Sequence, residues 1–182
     1  MEKRDQDLLI IEDFLLGKEG AFDILVKKYQ DRILNIVYSI IGKDLESQDI
    51  TQEIFLKVYN NLKYFRKKSK FSTWLYRITI NTIYDFLRKR RKFFDISYFD
   101  KGLASTPEEE LMKKEDEEFL INLLSKIPLK YRTAFVLKEI DNLNYKEIAE
   151  ILHCSIGTVE SRIYRARQFL KNLLKNKRYL WA

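Results

Sequence analysis

Glycine and proline are scarce in this chain, with five and two among 182 residues. Tight turns depend on both, so a turn-rich all-β architecture is excluded and helices are favoured. A single cysteine, Cys154, permits no internal disulfide, and a single histidine, His153, offers no metal cluster. Neither a metal nor a cofactor is expected. No apolar run approaches the ~18 residues that a membrane helix needs. The opening MEKRDQD does not resemble a secretory signal, and a cytoplasmic location is expected.

Charge, in contrast, is plentiful and unevenly placed. Lys and Arg exceed Asp and Glu by 34 to 27, a net of +7. From Lys63 to Lys92 there are eleven cations against one acid, Asp85. From His153 to the end there are seven against Glu160, so the remainder of the chain sums to −9. Two basic patches in an otherwise acidic chain imply a polyanion touched at two places. For either patch alone, a solvated basic face is the plain alternative.

The first patch centres on Phe71 to Lys92, which reads as one amphipathic helix. Leu75, Ile78, Thr82 and Phe86 form one stripe, and Tyr76, Ile80, Ile83 and Leu87 a second. Ser72 is the expected N-cap, with Phe71 and Tyr76 as a hydrophobic staple. Arg77, Asn81, Asp85 and Arg88 make a polar stripe, and Arg66, Lys67, Lys68 and Lys70 lie just upstream. A cationic loop leading into a helix with aromatics suits a surface that tracks phosphates and stacks on bases.

Three helices precede it. One runs from Leu8 to Leu16 and stops at Gly17; one spans Ala21 to Ile41 and stops at Gly42. Asp44 can cap the third, which runs to about Leu62. Its inward row is Ile50, Ile54, Val58 and Leu62. Asp49, Gln52 and Glu53 cluster on its other side, which by itself reads as solvated surface.

From Phe93 to Ser105 the periodicity fails, as in a linker. Thr106-Pro107-Glu108-Glu109 then starts a helix that turns apolar at Phe119, Leu120, Leu123, Leu124 and Ile127, until Pro128 breaks it. Tyr131 to Ile140 is another helix. Asn144 caps Tyr145 to Leu152, with Glu147 completing a capping box. His153-Cys154-Ser155 is a tight turn, and Ser155 caps a final helix to about Lys175. A short helix, a turn and a longer basic helix make a helix-turn-helix, whose second helix enters the major groove. Its candidate reading side chains are Thr158, Glu160, Ser161, Arg162 and Arg165. A plain helical hairpin is the alternative. The expected fold is therefore all-α: two small helical domains, 1–93 and 116–182, joined by a linker at 94–115.

Three stretches together carry a family resemblance: DITQEIFLKVY from Asp49, FSTWLYRITINTIYDFLRKR from Phe71, and YKEIAEILHCSIGTVESRIYRAR from Tyr145. They resemble bacterial sigma factors of the extracytoplasmic-function (ECF) group, in the right order and over nearly the whole chain. The resemblance implies a first domain that recognises and melts the −10 element and a second that reads the −35 element. It implies binding to RNA polymerase core through the β′ clamp helices and the β flap, and usually an anti-sigma partner that can hold the factor near a membrane.

By the same resemblance, Asp49, Gln52 and Glu53 meet the clamp helices. Lys70, Ser72, Thr73, Trp74, Arg77, Asn81 and Arg88 fall to the −10 element, with Tyr64 to Thr73 as the loop that captures a flipped base. Trp74 is open to a core reading as well. Thr158, Glu160, Ser161, Arg162, Tyr164 and Arg165 fall to the −35 element. The chain departs from the family at Glu160, where many relatives carry a basic residue, and no additional sensory domain is expected after the final helix.

Two other classes compete. A stand-alone helix-turn-helix regulator needs no polymerase surface, which leaves Asp49, Gln52 and Glu53 without a role. A DNA enzyme such as a recombinase lacks a catalytic constellation around any of the tyrosines. No small-molecule substrate is implied.

Overall fold

The computed structural model describes residues 6–42, 45–93 and 119–178. All regular structure among them is helical. In the first unit, α1 is Gln6–Leu15 and α2 is Ala21–Ile41. Gly42 takes φ 130°, closed to most side chains, and its N–H donates to the Tyr38 carbonyl; this ends α2 where the sequence predicts. α3, Leu45–Asn61, runs into a single 3₁₀ turn, Leu62–Tyr64. α4 is Phe71–Phe93.

In the second unit, α5 covers 119–125 of the described residues. Pro128 sits at the cap position of α6, Leu129–Glu139, which therefore begins two residues before the expected Tyr131. α7 is Tyr145–Leu152 and α8 is Ile156–Arg178. Asp44, the linker at 94–115 and the Thr106–Glu109 helix start lie outside the described residues.

Each unit closes over its own apolar rows. Ile33, Ile36, Val37 and Ile40 of α2 meet Ile50, Ile54 and Val58 of α3 and Leu75, Tyr76, Ile80 and Ile83 of α4, all buried. Full burial of such a side chain contributes about 1.5–3 kcal/mol, so these rows, not helix propensity, hold the bundle. Leu124, Ile127, Val136, Leu137, Ile148, Val159 and Ile163 do the same in the second unit. Phe119 and Leu120, grouped with that apolar run in the sequence, are instead 40% and 45% exposed.

One local expectation fails. Ser72 does not cap α4: the helix already includes Phe71, and the Trp74 N–H donates to the Lys70 carbonyl at 3.2 Å. Phe71 is 1% exposed and packs edge-on against Tyr29 at 5.6 Å and Phe65 at 5.9 Å. Burying that ring outweighs the roughly 1 kcal/mol a serine cap supplies, and it draws the first turn back along the chain.

The two units are in contact. α2 packs on α6, and α4 packs on α7. Arg132 of α6 donates through Nη1 to the Ile40 carbonyl at 2.5 Å, and Tyr84 of α4 donates to Thr133 Oγ1 at 3.0 Å.

Candidate nucleic-acid interface

The acidic-polar face of α3 forms as its spacing requires. Asp49, Gln52 and Glu53 are all exposed, on the side of α3 away from buried Ile50, Ile54 and Val58. Glu53 pairs with Lys57 at 2.7 Å, one turn on. Leu56 and Tyr59, 63% and 50% exposed, extend the same face. An acidic patch with apolar neighbours suits a partner helix that carries both basic and apolar side chains.

The residues assigned to the −10 element do not form one open surface. Thr73 is 3% exposed, inside the bundle, so its expected DNA contact is not available in this arrangement. Its helical turn is held inward by Phe71 and Leu75 on either side, both buried. Ser72 and Trp74 are half-buried. The Trp74 ring leans on Phe65 at 5.4 Å and Phe71 at 5.9 Å, so much of it serves packing. Asn81 and Arg88 are exposed, and Arg88 pairs with Asp85 at 2.8 Å. Tyr64, 65% exposed, is the open aromatic of the preceding loop, with Lys63 Nζ 5.1 Å from its ring.

Lys70 and Arg77 face the second unit. Lys70 Nζ lies 2.9 Å from Glu147 Oε1, and Arg77 Nη2 donates to the Glu150 carbonyl at 3.4 Å. That bond from Lys70 holds the Glu147 carboxyl below its ordinary range. Alongside, Arg32 Nε pairs with Asp141 Oδ1 at 3.1 Å, and Arg32 Nη1 donates to Tyr76 Oη at 3.5 Å. Burial pushes the Asp141 carboxyl up, against the pull of Tyr76 and Arg32. Burial also draws Arg132 down to about 10. Its partners are the Ile40, Ser125 and Ile127 carbonyls. Arg77 Nε and Asp141 Oδ2 are buried without a hydrogen-bond partner.

Arg32, Arg132 and Asp141 were not singled out by pattern. A lone Arg between Tyr131 and the apolar Ala134-Phe135-Val136-Leu137 run was the one available signal.

The helix-turn-helix closes as its caps predict. Asn144 Oδ1 accepts from the Glu147 N–H while Glu147 reaches back to the Asn144 N–H, both sides of a capping box. His153 turns the chain at φ 48°, a left-handed position that most residues avoid. Ser155 Oγ accepts from the Thr158 N–H at 3.2 Å and opens α8. Ile148, Ala149, Val159 and Ile163 are buried, so the two helices share one core.

On α8, Glu160, Ser161, Tyr164 and Arg165 are exposed, and Thr158 and Arg162 are half-buried. Arg165 Nη1 donates to Tyr131 Oη at 2.8 Å with its guanidinium 5.7 Å from the ring, and this bond draws the Tyr131 phenol below its ordinary value. A groove of about 520 Å³ runs between α6 and α8, floored by Phe135, Leu170 and Leu174 and rimmed by Lys171, Lys175 and Arg167, the last paired with Glu139 on the opposite side at 2.5 Å.

The two units match two family models in order: Sigma-70 region 2 over residues 25–93 and Sigma-70, region 4 over residues 120–170. The RNA polymerase sigma-H factor of Pseudomonas aeruginosa is 37% identical over 188 residues, covering 96% of this chain and 97% of the relative. The ECF RNA polymerase sigma factor SigW of Bacillus subtilis is 37% identical over 175 residues, covering 88% and 92%. The chain belongs to the ECF sigma factors of the sigma-70 family.

The fold agrees. CnrH, solved in complex with the cytosolic domain of CnrY, superposes with a TM-score of 0.75 at 25% identity, over 94% of this sigma factor and 99% of CnrH. The all-α, two-unit architecture with a C-terminal helix-turn-helix is that of the family. As a sigma factor, the chain directs promoter-specific transcription initiation by RNA polymerase.

Proposed function

We infer that the two faces divide the work of this sigma factor. The exposed Asp49, Gln52 and Glu53 face of α3 docks on the β′ clamp helices, and the apolar floor and basic rim of the α6–α8 groove take the β flap. Charge complementarity and the apolar neighbours of the α3 face support the first docking. Lys70, just before α4, and Arg77, Asn81 and Arg88 on it meet the −10 element, and the exposed N-terminal turns of α8 meet the −35 element. Tyr64 and the outer edge of Trp74 offer the stacking faces that a flipped base requires.

The factor acts by binding and carries out no chemistry of its own. It works in the cytoplasm. A sequestering anti-sigma partner is expected, in line with CnrH, which was solved holding the cytosolic domain of a second protein.

The observation that carries this division is the pairing of an exposed acidic face on α3 with a strongly cationic helix beside it in one bundle. Mixing the chain with purified core polymerase tests it. A stable complex that initiates at discrete start sites supports the reading; a chain that binds DNA but never core leaves the stand-alone regulator in its place.

A further inference from the structure

We propose that Tyr131 of α6 is a positioning residue for the −35 element: it orients the Arg165 guanidinium of α8 so that Arg165 reads one guanine. This rests on the reading of α8, and of Arg165 on it, as the −35 contact.

Arg165 lies three residues after Arg162 and four after Ser161, so it continues their face of α8. A long side chain there has reach, but a free arginine spreads that reach over many rotamers. Ordering it on a base then costs affinity and blurs direction.

In this fold Arg165 is held. Its Nη1 donates to Tyr131 Oη at 2.8 Å, and the guanidinium lies 5.7 Å from the centre of the same ring. One tyrosine therefore meets the cation through both its hydroxyl and its π face. Arginine carries five N–H donors in a planar fork. Anchoring Nη1 leaves the Nε–Nη2 edge, a pair of parallel donors of the kind that matches guanine O6 and N7. Arg165 stays exposed, so the anchor fixes its direction without burying it.

The anchor is itself fixed. The Tyr131 N–H donates to the Pro128 carbonyl at 2.9 Å in the first turn of α6. The next residue, Arg132, ties that turn to the Ser125 and Ile127 carbonyls at 2.6 and 3.0 Å. The Tyr131 ring stacks on Phe169 at 6.0 Å, with the planes 30° apart, and Phe169 lies one turn beyond Arg165 on α8. A ring held between two helices gives the guanidinium a fixed point of support.

The hydroxyl is what distinguishes this role from packing. Phenylalanine at position 131 keeps a ring for Phe169 and a π face for Arg165, and removes only the acceptor. A bidentate base contact demands plane and direction, whereas a phosphate accepts many approaches and carries no sequence information. Losing the anchor should therefore cost discrimination at one base pair rather than affinity for every sequence.

The test uses holoenzyme assembled from core polymerase and the full chain. Its DNA is a promoter selected by the wild-type holoenzyme, together with every single base-pair change of the −35 element. Wild type, Tyr131→Phe, Arg165→Ala and the double variant are compared by competition binding. The proposal predicts that Arg165→Ala flattens the preference at one G·C pair. Tyr131→Phe should lower the preference at that same pair by about three- to tenfold, and the double variant should be no worse than Arg165→Ala alone.

Unchanged discrimination in Tyr131→Phe, with Arg165→Ala still altering one position, would overturn the positioning role and leave the −35 reading standing. An equal loss on all sequences would overturn it too, by reducing Tyr131 to a structural support. So would losses that add in the double variant, since Tyr131 would then act independently of Arg165. If Arg165→Ala alters no position, the −35 reading of Arg165 falls and the proposal falls with it.

Discussion

Lys70 and Glu147 stand 77 positions apart in the chain, yet their side chains meet at 2.9 Å. One belongs to the loop that precedes the cationic helix. The other closes the capping box of the helix-turn-helix. Lys70 is 68% exposed and Glu147 22%, so solvent screens the pair and its direct contribution is small, about 0.2–1 kcal/mol.

That contact has a pH signature. Glu147 is held below its ordinary value of 4.5 when the units are closed. Its contribution to closure is fully present above 4.5 and is lost as pH falls through the depressed value. Asp141, raised by burial, works in the opposite sense: its closed form holds a proton more readily, so closure weakens as pH rises through its raised value. Comparing wild type with Glu147→Gln isolates the first effect. Below 4.5, wild type should lose more of the contact between the units than the variant, read as the distance between spin labels at Gln48→Cys and Lys171→Cys in a Cys154→Ser background; superimposable profiles would contradict the assignment.

Asp49→Lys with Glu53→Lys should abolish core binding and leave the bundle folded. Both side chains are exposed and lie off the buried row of Ile50, Ile54 and Val58. A basic partner would meet repulsion in place of charge-assisted bonds. Helical circular dichroism should be unchanged while gel filtration with core shows no complex. A complex of wild-type affinity would move the docking face elsewhere.

Asn81→Ala should impair promoter melting more than duplex binding. Asn81 is exposed on the polar stripe of α4. Transcription from a fully paired template should fall, and a template opened in advance should restore it. An equal loss on both templates would assign Asn81 to some later step.

Glu160 should read a base. It is exposed on the first half of α8, and the residues three and four positions away are Ile156, Gly157, Ile163 and Tyr164, none of them cationic. A carboxylate aimed at DNA is repelled by phosphate unless it accepts a hydrogen bond, and cytosine N4 is the natural donor. Selection from a randomised −35 element with Glu160→Arg holoenzyme should shift preference at one base pair, by about 1–3 kcal/mol. Unchanged preferences would leave Glu160 as a favourable charge near the positive end of the helix dipole.

What the sequence revealed follows the range of the forces involved. The end of α2 at Gly42 and the caps at Asn144 and Ser155 were legible because each is fixed within four residues. The helix-turn-helix followed from those caps and the shared core of Ile148, Val159 and Ile163. The start of α4 was misread because Phe71 is anchored by Tyr29, a partner 42 positions away that no local pattern contains. Thr73, which the resemblance assigns to the −10 element, is buried by the same packing. The contact between the two units was invisible for a further reason. Arg132 and Arg77 both reach backbone carbonyls, of Ile40 and Glu150, and a carbonyl leaves no trace in residue identity.

This sigma factor is predicted to hold two DNA-facing surfaces and to gain sequence selectivity only on core polymerase. A footprint on a promoter selected by the holoenzyme, taken at physiological salt with and without core, tests it most directly. Protection of two separated elements with core, and only weak, salt-sensitive and unselective protection without it, is the predicted result. Equally tight and selective protection by the chain alone would contradict it.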